Sequence, residues 1–307
     1  MTTIDLSTPP APAPSLLEGL PRRVALTLPE LCLVAELAGG APLPFDEVSR
    51  ADATTMESRL GESRGSADAS ARERTLTSFH EPRESLSRRG LLHDGELDAS
   101  IAGAIGLLAT PELALQVDVA VAGVQAISWQ RSGDGAVATL GTVDGLVFEL
   151  AWFGVDQWAG ELARVARLPE EVTLSASQVP GRLSAPYELA DAVGEAIRSH
   201  RDDLVPVLAA QHSGQVEVDE QTAPDAESAE ALRALHRETQ GRLRVLATSV
   251  TETGTAPVGV VSWLLVQDGW RAVCSRAGEN GARLEVTRVD PADLATELAP
   301  VISEVTA

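Results

Sequence analysis

Ser63 sits in the run Gly61-Glu62-Ser63-Arg64-Gly65, the Gly-x-Ser-x-Gly spacing of a nucleophile elbow. That chemistry needs a buried strand before the serine and a helix after it, so that a strained turn exposes the hydroxyl. The flanks, residues 46 to 70, are instead polar and serine-rich with no sustained period, which is the pattern of an exposed loop. No later Asp and His complete a triad. The five histidines, His80, His93, His200, His212 and His236, have neither i, i+4 partners nor a His-Glu-x-x-His frame. A metal site would have to be assembled by tertiary contacts alone. All 24 basic residues are arginine, and the absence of lysine removes Schiff-base chemistry and the phosphate-loop lysine. The glycine-bearing runs "GAIG" and "GTVDG" read as part of a helix and as a hairpin, not as phosphate cradles. Carboxylate pairs such as Asp202-Asp203 are expected by chance on solvated faces of so acidic a chain. No catalytic, cofactor-binding or metal-binding residue is assigned, and no cofactor is expected.

The elements that would position any chemistry belong to a chain of 307 residues, 44% apolar, enough to bury a substantial core. Its 45 acidic and 24 basic residues give a formal charge of −21, which repels phosphate backbones and anionic lipid surfaces. No nucleic-acid partner and no membrane insertion are expected. Residues 1–23 read as a disordered Pro/Ala-rich tail without the basic and apolar regions of a signal peptide. The longest apolar runs, such as "VGVVSWLLV", are about half a membrane span. A cytoplasmic location follows as the expectation. Cys32 and Cys274 fit no metal spacing and read as two buried thiols.

Helical periodicity predicts a first helix at about 28 to 38, with Thr27 and Glu30 at capping-box spacing. Helical patterns resume near Ala71, with Pro82 as a break, and stop at Gly90, and another helix runs from about 95 to 109 with Asp94 as cap. The period then changes to two. "LALQVDVAV" and three further runs at about 124 to 131, 136 to 141 and 146 to 152 make a meander, with Asp134-Gly135 and Asp144-Gly145 as hairpin signals. A helix at about 156 to 167 closes the unit, its stripe formed by Trp158, Leu162 and Val165.

The same order recurs. "SWQRSGDG" at 128 to 135 matches "SWLLVQDG" at 262 to 269, 134 positions on, and the flanking strands and closing helix extend the match. Leu294, Leu298 and Val301 then fall opposite Trp158, Leu162 and Val165. Between the copies lie a Pro-rich crossing, helical patterns at about 186 to 210 and 227 to 239, and an acidic tract at 211–229 read as a solvated loop. The predicted organisation is an N-terminal half over 24–168 and a C-terminal half over 169–307, both in one globular domain. The fold class is α+β: a quasi-two-fold, duplicated fold whose antiparallel β-meanders form a central sheet flanked by helical bundles.

Five of the ten aromatic residues are tryptophans. Trp129 and Trp263 occupy matching positions in the two copies, which admits two readings. They are core, or with Ile127 and Leu265 they face outward as an apolar landing surface for a partner protein. Strand alternation alone does not choose between the faces.

The order of "LTLPELCLVAEL", "RGLLHDGELDASIAGAIGLLATPELALQVDVAV", the Asp-Gly hairpins and "VVSWLLVQDGWRAV" with its closing helix resembles the EspG family, the chaperones of actinobacterial type VII (ESX) secretion. The resemblance covers about residues 24 to 304. It implies a central antiparallel sheet between helical bundles, no enzymatic activity, and a cytosolic chaperone or adaptor role. In that role the protein binds the apolar tip of helical secretion substrates of the PE/PPE class and keeps them soluble for export. A monomer or weak dimer is expected. The alternatives are a small-molecule-binding or enzymatic α+β protein that uses the sheet concavity, and a non-catalytic assembly subunit.

Overall fold

Two four-stranded meanders meet edge to edge. β4 (Leu113–Val121), β5 (Val124–Gly133), β6 (Ala136–Thr142) and β7 (Val147–Gly154) form the first. β11 (Gly241–Thr251), β12 (Gly254–Val266), β13 (Gly269–Gly278) and β14 (Gly281–Val289) form the second. They join where β4 lies antiparallel to β11, with Val117 opposite Val245. In this computed structural model the described residues are 21–45, 81–251, 254–278 and 281–306. Ser63, His80, the loop at 46 to 70, the helical pattern from 71 to 80 and Asn280, which with Gly281 is a hairpin signal of the second copy, lie outside them, as do residues 1–20 of the tail.

Two strands that the sequence did not announce extend the sheet. β1 (Arg22–Thr27) pairs with β7, and β8 (Arg182–Pro186) pairs with β14. Arg22 and Arg23, counted with the tail in the sequence, open β1. The acidic tract is corrected in part: β9 (Glu217–Val218) and β10 (Gln221–Thr222) form a short hairpin on β8, and Val216 and Ala223 are buried. Alternation of Val216 and Val218 with charged residues supplies one apolar side, enough to seat a solvated tract against a sheet edge. The order is β1-β7-β6-β5-β4-β11-β12-β13-β14-β8-β9-β10, and a separate pair joins β2 (Leu92–His93) to β3 (Glu96–Leu97).

Helices follow the same symmetry. α1 (Leu28–Leu37) leaves β1 with its capping box formed by Thr27 and Glu30, and α5 (Tyr187–Arg198) follows β8 directly, with Pro186 at its N-cap and no side-chain cap. α2 (Pro82–Arg88) ends at Gly90, whose φ is +69°. α3 (Ala99–Ala109) starts later than its sequence pattern suggests, because Asp94 and Gly95 both take positive φ to turn the β2–β3 hairpin. Asp98 is the cap instead, accepting from the N–H groups of Ser100 and Ile101. The helical pattern at 186 to 210 divides into α5 and α6 (Val205–Gln211), with Pro206 in the first turn of α6, where it lacks no bond. α7 is Asp225–Glu238. α4 (Trp158–Val165) and α8 (Asp293–Thr306) close the two meanders.

The helices sort to the two faces by the parity of the strands. α4 and α8 cover one face, where Leu115, Val117, Leu243, Val245, Trp263 and Trp270 make the central core. On the other face α1, α2 and α3 pack on the N-terminal meander, and α5, α6 and α7 pack on the C-terminal one, as two separate clusters. Cys32 and Cys274 are exposed and not joined in a disulfide, which corrects the expectation of buried thiols. Each projects from the outer side of its element, while Leu31 and Val34 on one and Val273 and Val286 beside the other do the packing.

Candidate interaction surface

Residues on one face of a sheet are fixed by cross-strand pairs. From Gln116 the ladder runs through Trp129 and Leu140 to Leu150 and Val24. From Arg244 it runs through Ser262 and Val273 to Val286 and Leu183. Setting the pseudo-two-fold axis at the Val117–Val245 pair makes these two rows equivalent, and it brings the first residues of α1 and α5, Leu28 and Tyr187, into register. Trp129 therefore answers to Ser262, and Trp263 answers to Gln130. The sequence match of the two Ser-Trp motifs is one residue out of step with the sheet, and a one-residue slip turns a side chain to the opposite face.

That slip decides where the expected surface residues go. Trp129 lies under the N-terminal cluster, 5% exposed, with the Phe45 ring centroid 5.9 Å away. Trp263 and Leu265 lie on the other face, fully buried beneath α4 and α8. The Trp263 indole donates to Glu297 Oε2 at 2.8 Å. Ile127 alone of the four keeps exposed area on an open face, so the outward orientation of Trp129, Trp263 and Leu265 is corrected to core. Burial of the indoles outweighs their pairing by sequence.

Ile127 borders a floor that the two helical clusters leave between them. Along β4 and β11 this floor carries Gln116, Asp118 and Leu246, half-buried, with Arg242 and Arg244 exposed. On β12 Val260 is 51% exposed, a large apolar side chain in the middle of a sheet. Gln116 Nε2 donates to Asp118 Oδ2 at 3.1 Å. The lower end of the floor deepens into a cavity of about 450 Å3 lined by Ala120, Gln125, Gln240, Arg242 and Leu264. Its arrangement is an apolar centre with charged flanks, the composition of a protein-binding patch. The signal for Leu246 and Val260 was present in the alternation of β11 and β12, but their face depended on the register.

Among the described residues no three His, Cys, Asp or Glu side chains group as a metal site. His236 is wedged between α5 and α7 with Nε2 3.2 Å from the Ala190 carbonyl, and burial first, then the Arg198 charge, holds its pKa below the ordinary range. It is a packing residue. No helix among the described residues is long and apolar enough to cross a membrane.

No family model matches the chain, and no curated protein matches it. Among solved structures the chain is similar to the Mycobacterium tuberculosis type VII secretion system chaperone EspG5, solved in complex with a PE25-PPE41 dimer. The TM-score is 0.58 at 11% sequence identity, over 92% of this chain and 96% of that chain. At this identity the likeness is one of fold, and it spans both meanders and both helical clusters. The chain has an EspG-like α+β fold, a duplicated antiparallel sheet flanked by helices.

Proposed function

We propose that the protein is a cytoplasmic chaperone or adaptor of type VII (ESX) secretion that covers the apolar tip of a helical, PE/PPE-like client and keeps it soluble for export. The observation that carries this reading is the end-to-end fold likeness to EspG5, which was solved with a PE-PPE dimer. The open floor around Ile127, Leu246 and Val260 is the surface assigned to the client. It lies between the two helical clusters, and a net charge of −21 keeps the loaded complex soluble. The free protein is a monomer or weak dimer in this reading, and no catalytic residue is involved.

Co-expression with a PE/PPE-type pair from the native host, followed by gel filtration, tests the reading. A defined complex is expected, and Leu246→Asp or Val260→Asp weakens it by about tenfold or more, since a charge placed in an apolar contact costs more than 1.4 kcal/mol. Wild-type affinity in both folded variants would remove the floor from the client site. Failure of every such pair to associate would remove the function. One observation favours a second reading, a small-molecule binder: a cavity of about 770 Å3 whose lining includes Arg182, Arg276, Glu285 and Glu297.

A further inference from the structure

Each half of the sheet serves as an internal reference for the other. On the face that carries α4 and α8, the N-terminal half holds a closed network of four charges. Arg23 of β1 reaches Glu149 at 3.1 Å and Glu161 at 2.5 Å, and Arg164 of α4 reaches Glu149 at 2.7 Å and Glu161 at 3.0 Å. The equivalence of Val24 with Leu183 and of Leu150 with Val286 sets Arg23 against Arg182 and Glu149 against Glu285. Continued without a gap into the closing helices, it sets Trp158 against Leu294, Glu161 against Glu297 and Arg164 against Pro300.

The C-terminal half thus keeps both carboxylates and loses both guanidinium groups from between them. Pro300 has none, and Arg182 turns away to Glu220. Glu285 pairs with the exposed Arg276 at 3.0 Å and accepts a long contact from Cys274 Sγ at 3.9 Å, and Glu297 accepts the Trp263 indole N–H. Where the N-terminal half is closed by arginine, the C-terminal half has the cavity of about 770 Å3, lined by Glu285, Glu297, Cys274, Thr287, Val261 and Val301. Desolvation raises the Glu297 pKa, with the Trp263 hydrogen bond opposing and the Asp293 charge adding. The same desolvation acts on Glu161, but Arg23 and Arg164 overcome it and hold that carboxyl below its ordinary range.

The backbone opens at the same place. β12 and β13 pair only from Val266–Gly269 to Ser262–Val273, although β12 begins at Gly254 and β13 ends at Gly278. In the N-terminal half the equivalent ladder continues past Trp129–Leu140 to Ile127–Thr142. The two strands part beside the cavity, and their facing edges carry main-chain donors and acceptors with no strand between them. Such edges accept an extended segment.

We propose that this cleft receives an arginine carried on an extended segment of a partner protein, its guanidinium taking between Glu285 and Glu297 the place that Arg23 and Arg164 fill in the other half. Four lining carboxylates, Glu217, Glu220, Glu285 and Glu297, face two lining arginines, Arg182 and Arg276, so the cleft is complementary to a cation. A planar guanidinium matches two carboxylates better than an ammonium does. The cleft is lined mainly from the face opposite the open floor and shares Val260 with it, so Leu246→Asp, which lies outside the cleft, separates the chaperone reading from this assignment.

The Trp263 indole N–H, bonded to Glu297, is a built-in reporter. The full chain, labelled with nitrogen-15, is titrated with the peptide acetyl-Thr-Val-Arg-Val-Thr-amide, its citrulline counterpart and free L-arginine. The arginine peptide shifts the Trp263 indole signal saturably, and the citrulline peptide binds about tenfold more weakly or less. Glu297→Gln, which still accepts from the indole, weakens the arginine peptide by a similar factor. Should that variant fail to fold, Glu285→Gln carries the same expectation. An indole signal unmoved by the arginine peptide at about 5 mM, or undiminished affinity in the folded variant, overturns the proposal. Free L-arginine binding as tightly as the peptide also overturns it, in favour of a small-molecule site.

Discussion

Glu161 and Glu297 show how one residue type, in one place of a repeated frame, takes opposite electrostatic roles. Glu161 has a folded pKa below its unfolded value because Arg23 and Arg164 outweigh desolvation. It therefore contributes stability above the unfolded value, and that contribution is lost as pH falls through the folded one. Glu297 is the reverse: its folded pKa is raised, so its contribution is present below the unfolded value and lost as pH rises through the folded one. Glu161→Gln is expected to cost about 1–3 kcal/mol at neutral pH, by leaving two guanidinium groups less well paired. Glu297→Gln is expected to leave neutral-pH stability unchanged or raised. Urea denaturation of the two variants at pH 7.5 checks the contrast, and equal losses would refute it. Arg271 is a third case. It is 1% exposed, pairs with Asp268 at 2.9 Å and donates to the Val179 and Pro180 carbonyls, which ties the Pro-rich crossing to β13. Arg271→Ala strands those carbonyls and is expected to cost about 3–5 kcal/mol, measured by the same denaturation.

At the level of elements, two close approaches hold the layers in register. A Cβ on Gly241 would lie 2.8 Å from the Ala120 carbonyl oxygen and 3.2 Å from Leu265 Cβ, at the seam between the two meanders. Backbone there has no room to yield, so Gly241→Ala is expected to lower stability by about 1–3 kcal/mol, seen as a lower melting temperature. The second approach is α5 against α7, where His236 Cε1 sits 2.7 Å from the position of a Gly194 Cβ. Burial lowers the His236 pKa from 6.5, so the stability it supports is present above that value and lost as pH falls through the folded one. Melting temperature followed from pH 7.5 to 5.5 should fall for the wild type, and His236→Gln should remove that part of the dependence. Asp191 and Arg198 are the other charges at that ring, and their effects on it oppose each other.

For the whole molecule, the central core draws from both meanders. Leu115, Val117, Phe153 and Trp158 pack in one cluster with Leu243, Val245, Trp263 and Leu294, and the Trp270 indole donates to the Ala166 carbonyl at 2.8 Å. We expect the halves, 24–168 and 169–307, to behave as one cooperative unit. Tryptophan fluorescence and far-UV circular dichroism should report coincident denaturation midpoints, whereas two separated transitions would assign the halves to independent domains.

The sequence by itself determined the repeated order of the meanders and closing helices, because strand alternation, Asp-Gly or Asn-Gly turns and helix stripes are local signals present in each copy. It also narrowed the chemistry, since the all-arginine, acidic composition and the scattered histidines are plain in the rows. It did not reveal β1 or β8, six and five residues long, which become strands only by pairing with the far edge of each meander. It could not choose the faces of Trp129 and Trp263. Matching letters placed them together, but a side chain's face depends on the hydrogen-bonded register with its neighbours, and that register differs by one residue between the copies. The open floor, and the cleft where two carboxylates lack the arginines of their counterparts, exist only after strands distant in sequence have been set side by side.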